Sequence, residues 1–131
     1  MIKKILHSKF YFFAIIGSTG FVIDSSIFYC LHFNFDIAFS RVVSILTAMT
    51  FTWLANRTFT FQYHASLSFK EWLKYFSVNS VGAVINFSVF VLLMRMNPFL
   101  SHYFIIPLAL ATLTAMGFNF TLSQFFVFKS N

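Results

Sequence analysis

The stretch TAMTFTWLANRTFTF, residues 47–61, ends an apolar run in hydroxyls, an amide, a guanidinium and alternating phenylalanines. The ending recurs as TAMGFNFTLSQFFVF, residues 114–128. A reading of the first copy therefore has to fit the second, and the fold follows from what such an ending terminates.

Composition sets the solvent. The 131 residues are 59% apolar, 22% aromatic and only 9% charged, with a mean hydropathy of +0.80. A soluble domain of this size has no interior large enough to hide that much apolar surface. The apolar residues form four blocks, at about Phe10 to Leu31, Ile37 to Asn56, Tyr75 to Met94 and Tyr103 to Leu122. Each is near the ~20 residues that a helix needs to cross the hydrocarbon core. The expectation is an all-α integral membrane protein with four transmembrane helices. Lys3, Lys4 and Lys9 precede the first block as they would a signal peptide, but Asp24 and further apolar residues follow and no Ala-x-Ala site appears. It reads as a retained span. Cys30, the single cysteine, forms no intrachain disulfide.

With four spans, both termini share a side with the central loop. That side collects Lys3, Lys4, Lys9, Arg57, Lys70, Lys74 and Lys129, and the other only Arg41 and Arg95, seven basic residues against two. The positive-inside rule places both termini and the loop in the cytoplasm. The net charge of +6 follows from this bias and from attraction to anionic lipid heads. The charges are split among membrane flanks and form no stripe, which argues against nucleic acid as a partner.

The organisation reads as a duplication. An offset of 62 aligns the first and third spans, with Ser18/Ser80, Gly20/Gly82, Val22/Val84, Ile23/Ile85 and Ser26/Ser88 identical. An offset of 67 aligns the second and fourth, where Leu46 to Met49 matches Leu113 to Met116 and Phe51, Phe59 and Phe61 match Phe118, Phe126 and Phe128. The difference falls in the outer turns, where NFDIAFS faces the longer RMNPFLSHYF. Each unit is a hairpin of two helices, repeat 1 at about 10–61 and repeat 2 at about 72–128, joined by an interfacial linker at about 62–74 within a single membrane domain. Two crossings return the chain to its starting side, so the repeats should be parallel.

Small and polar residues fall on single helix faces: Gly17, Gly20 and Asp24; Asn79, Gly82 and Asn86; Ser44, Ala48, Thr52 and Asn56; Ala111, Ala115, Asn119 and Ser123. Small residues let helices approach closely, and hydroxyls and amides bond across the contact. Packing explains these faces but not the charges among them. Asp24 lies about 21 Å along its helix from Phe10, inside a core of about 30 Å. An acid there costs roughly 2.5–3.5 kcal/mol and needs a partner. Arg41, about 22 Å above Asn56, is at matching height. The pair is either a structural lock on the hairpin or a polar step on a proton or substrate pathway.

Arg57 ends the second span. It either snorkels to lipid phosphates or binds a phosphorylated lipid through the two parallel bonds of its planar guanidinium. In the second copy Gln124 replaces Arg57 and Asn86 replaces Asp24, so the charged members of both pairs sit in the first half. The tails TFTF and FFVF alternate with period two, which predicts extended exits at headgroup level. Ser68 and Glu71 have capping-box spacing and predict a helix start near Phe69, with Trp72 and Tyr75 as interfacial belt residues.

Motifs of catalysis are missing. His7, His32, His64 and His102 have no ligand spacing, the only acids are Asp24, Asp36 and Glu71, and there is no Gly-rich phosphate loop, nucleophile elbow or carboxylate dyad. The chain reads as no enzyme, without cofactor or metal.

The elements AIIGSTGFVIDSSIF in the first span, NRTFTF ending the second and NFTLSQFFVF ending the fourth, in this order and spacing, resemble the GtrA family over nearly the whole chain. Gln124 is a departure, since the terminal element of that family usually carries a basic residue. The resemblance implies movement of a polyprenyl-phosphate-linked sugar, such as an undecaprenyl-phosphate sugar, from the cytoplasmic to the outer leaflet of the bacterial inner membrane, for glycosylation of envelope polysaccharide. Under it Arg57 would receive the lipid phosphate, Asn56, Asn86 and Asn119 would bond sugar hydroxyls, and Asp24 with Arg41 would form a polar step; Gln124 stands at the matching position of the second half. Four spans enclose little space, so the expected partners besides membrane lipids are further copies of the chain, as a homo-oligomer, or a membrane glycosyltransferase. Two alternatives remain: a non-transporting anchor or assembly subunit for such a glycosyltransferase, and a small proton-coupled multidrug-type exporter using Asp24, against which the fixed orientation speaks.

Overall fold

The computed structural model of the chain describes residues 2–103 and 105–129. Helix α1 covers Ile2–Leu31 and α2 Ile37–Ala55, which runs on into a π-helical turn at Asn56–Thr60. Helix α3 covers Phe69–Met96, α4 is a single short turn at Pro98–His102, and α5 covers Ile105–Leu122 and runs on into a second π-helical turn at Ser123–Val127. Four segments are long and apolar enough to cross a membrane: Lys4–Leu31, Ile37–Thr60, Phe69–Met96 and Ile105–Val127. No strand occurs among the described residues. The all-helical, four-span expectation holds, with α1 starting several residues before Phe10.

Local chemistry sets the helix ends. The Asp36 carboxylate caps α2, with Oδ2 accepting from the backbone N–H of Ala38 at 2.9 Å and of Phe39 at 3.3 Å. Asn97 caps α4 through Oδ1, which accepts from Phe99 N–H at 2.9 Å, and Pro98 occupies the first helical position, where its missing donor costs nothing. Asn97 and Pro98 are a readable signal for this extra turn in the connection between α3 and α5. Helix α3 starts at Phe69, as the Ser68 and Glu71 spacing predicts.

The chain divides into two compact units, one ending at Ser68 and the other running from Phe69 to Lys129. In the first, α1 packs along α2, and a methyl group on Gly20 would overlap the Thr52 methyl. Farther down, the Phe13 ring meets Phe61 edge-on at 6.2 Å. In the second unit α3 packs along α5, a methyl on Gly82 would overlap the Asn119 amide, and Tyr75 meets Phe128 at 6.0 Å. The offset of 62 carries Gly20 to Gly82 and Phe13 to Tyr75, while 67 carries Thr52 to Asn119 and Phe61 to Phe128. Both hairpins are thus closed by the same two contacts.

Three expectations are corrected. The tails TFTF and FFVF are not extended. Each continues its helix by a π-type bond, from Phe61 N–H to the Asn56 carbonyl and from Phe128 N–H to the Ser123 carbonyl, both 2.9 Å. At membrane depth a backbone that pairs internally avoids the cost an extended strand would carry, and the wider turn swings Phe61 and Phe128 inward onto α1 and α3 while Phe59 and Phe126 point outward. Tyr75 is not a belt residue but is fully buried against Phe128, whereas Phe69, Trp72 and Phe76 form a stacked ladder along α3 at 5.7 and 5.6 Å. Gly17 does not share the close contact of Gly20: it is exposed, with nothing near its Cβ position.

The two glycines of α1 should therefore respond oppositely to the same change. Gly20→Ala is expected to cost about 1–3 kcal/mol, because the stiff Thr52 side chain has little room to move aside. Gly17→Ala is expected to be neutral or to gain up to about 1 kcal/mol from helix propensity. Unfolding of the purified protein in mixed detergent micelles measures both.

Candidate functional site

Polar side chains gather at two levels of the first unit. Toward the turn between α1 and α2, Arg41 Nη1 donates to Asp24 Oδ2 at 2.8 Å. The Asp24 side chain is 15% exposed and that of Arg41 51%, so the carboxylate is largely enclosed while the guanidinium reaches outward, over the Phe28 ring at 5.8 Å. Asp24 Oδ1 is buried and without a hydrogen-bond partner among the described residues, which leaves strong acceptor capacity inside a spanning segment. Ser44, fully buried in the next turn of α2, donates to the Arg41 carbonyl at 3.0 Å.

At the opposite end lie Asn56 and Arg57, roughly 24 Å from Arg41 along the helix. Asn56 is buried and its Oδ1 accepts from Thr60 Oγ1 at 2.8 Å, a bond across the π-helical turn. Arg57 is only 9% exposed. Its Nη1 donates to the Tyr63 carbonyl at 2.9 Å, its Nη2 donates to the Ala65 carbonyl, and its cation sits 5.2 Å from the centre of the Tyr63 ring. The Arg57 carbonyl in turn accepts from Tyr63 N–H at 2.9 Å. One arginine thus folds the exit loop back onto the helix end, and Gln62 between them takes a φ of 49°, in the left-handed region.

In the second unit Asn86 Nδ2 donates to Thr112 Oγ1 at 3.3 Å. Asn119 does not join it: its amide lies against Gly82, with Oδ1 buried and unpartnered among the described residues. Ser123, fully buried at the start of the second π-helical turn, has an Oγ without a hydrogen-bond partner among the described residues, and Gln124 beside it is half-buried. Of the seven residues singled out in the sequence, the structure thus joins Asp24 to Arg41, sets Asn56 beside Arg57, and keeps Asn86 apart from Asn119. Among the described residues no group of three or more His, Cys, Asp or Glu would hold a metal ion.

The family model for the GtrA/DPMS transmembrane domain matches residues 12–130. The chain belongs to that family. A comparison with curated proteins gives no match. The GtrA/DPMS domain marks a multi-pass membrane protein involved in handling lipid-linked sugars. Sequence reasoning about this GtrA/DPMS chain missed two features of the site. The π-helical turns have no sequence signal beyond the repetition of their endings. The α1 residues Lys4, Ser8 and Phe12, spaced to share a face, were legible as a face, but only Lys4 among them entered the sequence reading, for orientation.

If Asp24 and Arg41 hold each other, reversing one charge should cost more than reversing both. Asp24→Arg or Arg41→Asp alone is expected to lose between the ~1 kcal/mol of exposed pairs and the ~3 kcal/mol of buried ones, and the double exchange to regain much of it. The yield of monodisperse protein on size-exclusion chromatography and its unfolding midpoint report the difference.

Proposed function

We propose that this chain moves a polyprenyl-phosphate-linked sugar from the cytoplasmic to the outer leaflet of a bacterial inner membrane, where it serves envelope polysaccharide glycosylation. The observation that carries the reading is Arg57, a guanidinium held at the end of the second span in a GtrA/DPMS chain. The charge bias of the flanks sets this end in the cytoplasm, where a lipid-linked sugar is made.

Arg57 now donates to two neutral carbonyls of the exit loop. A phosphate offers charged acceptors in the same fork geometry, and such bonds are roughly twice as strong as neutral ones. Phosphate capture would therefore exchange the carbonyls of Tyr63 and Ala65 for phosphate oxygens and release the loop. Amides at Asn56, Asn86 and Asn119 suit sugar hydroxyls. The free lone pairs of Asp24 Oδ1 supply a polar step where the hydrocarbon offers none. Gln124, at the position of Arg57 in the second half, accepts and donates without charge. The chain itself performs no chemistry on the sugar in this reading; the glycosyltransferase that loads the lipid is the expected partner, and further copies of the chain would complete the passage.

Translocation of a polyprenyl-phosphate hexose across proteoliposomes tests the proposal, with empty vesicles as the baseline. Wild-type protein is expected to transport, Arg57→Ala to lose about tenfold or more, and Arg57→Lys to fall between, since it keeps the charge but not the fork. Folding of each variant is checked by circular dichroism. Wild-type protein that is folded and yet no faster than empty vesicles would favour the assembly-subunit alternative.

A further inference from the structure

Beside the first π-helical turn, α1 leaves a groove of about 370 Å³. Lys4, Ser8, Lys9 and Phe12 line it from α1, Phe59 and Gln62 from the exit of α2. Its volume falls in the ~300–1,000 Å³ range of small-ligand sites. The lining holds two lysines and no acid. The first turn of α1 also lacks an acid, so Lys4 stands where the helix dipole is already positive. A cation there is unfavourable unless an anion answers it. Ser8 adds a hydroxyl and Gln62 an amide, both able to donate to an oxyanion.

The other walls are apolar. Phe12, Phe59 and Ile5 border the groove with exposed side chains. A second, shallow trough of about 430 Å³ lies along α1 itself, lined by Tyr11, Ile15 and Val22 among others. The hydroxyls in that trough do not make it polar, because Ser18 donates to the Ala14 carbonyl at 2.9 Å and Thr19 to the Ile15 carbonyl at 3.0 Å. The same spanning helix thus carries a cationic groove near its start and an apolar trough in its next turns.

We propose that this groove is a site for a phosphate carried on an isoprenoid chain, with Lys4 and Lys9 holding the phosphate and the trough along α1 receiving the first isoprene units. The site lies at the same end of the hairpin as Arg57 and is separate from it. It rests on the lipid-linked sugar reading and names where such a lipid docks before the Arg57 latch opens. Ordinary attraction of basic flanks to anionic lipid predicts no such locality, since any pair of basic residues at this membrane face would serve equally.

The test is equilibrium binding of farnesyl phosphate to the full chain in nanodiscs of neutral phosphatidylcholine, with empty nanodiscs subtracted. The double variant Lys4→Gln with Lys9→Gln is expected to bind about tenfold more weakly, whereas Lys70→Gln with Lys74→Gln, which removes the same charge from exposed positions on α3, should change affinity by less than about twofold. Farnesol should not compete, and inorganic phosphate should compete only at about a hundredfold higher concentration, for want of the apolar contact. Equal losses in the two double variants would overturn the site in favour of general surface charge. Inorganic phosphate as potent as farnesyl phosphate would overturn the lipid part. Tight binding by wild type that survives Lys4→Gln with Lys9→Gln would overturn the groove alone, while no binding by the wild type would overturn both the groove and the transport reading.

Discussion

Two helices surrounded by hydrocarbon gain little from hiding apolar side chains against each other, so each hairpin must be held by close approach of backbones and by bonds across the contact. Gly20 provides that approach in the first unit and Gly82 in the second, with Thr52 and Asn119 filling the space a methyl group would need. The other features follow from helices brought this near. Asp24 and Arg41 meet because α1 and α2 run together at their height, and Asn86 reaches Thr112 in the same way between α3 and α5. At the far end the π-helical turns let Phe61 and Phe128 turn inward onto Phe13 and Tyr75 while their N–H groups pair with the Asn56 and Ser123 carbonyls.

The two units share this frame and differ in charge. The first carries Asp24, Arg41 and Arg57, and at the matching positions of the second stand Asn86, Leu108 and Gln124. A charged residue in a spanning segment is costly, and structure alone does not ask for it, since the second unit closes the same kind of hairpin with neutral groups. Under the proposed function, the charges of the first unit serve the passage of the head group. They are also spread along its length, from the lysines of α1 and Arg57 at one end to the ion pair toward the other. A head group with a phosphate and hydroxyls would meet successive polar positions on this one hairpin.

Much of this was legible before any coordinates. Four spans followed from block length and hydropathy, the pairing of Asp24 with Arg41 from equal heights along antiparallel helices, and the start of α3 from the Ser68 and Glu71 spacing. The exits were misread because four alternating residues fit a strand and a wide helical turn equally well, and only the need to pair the backbone at that depth decides between them. Gly17 was grouped with Gly20 on spacing alone, although the face that touches α2 runs through Phe13, Ile16 and Gly20. The hold of Arg57 on its own exit loop had no signal, because it depends on Gln62 adopting a positive φ that its residue type does not announce. The groove beside α1 was out of reach for a related reason, since it exists only once the π-helical turn sets Phe59 and Gln62 opposite Lys4 and Ser8.

The central claim is that an isoprenoid phosphate meets this chain at the end of the first hairpin where α1 starts and α2 exits. Photolabelling tests it most directly. A short isoprenyl phosphate bearing a benzophenone would be crosslinked to the full chain in native membranes, and the labelled peptides mapped by mass spectrometry. The account expects label concentrated in residues 4–22 and 57–63 and suppressed by excess unlabelled farnesyl phosphate. Label spread evenly over the lipid-facing surfaces of all four spans, and indifferent to that competitor, would contradict it.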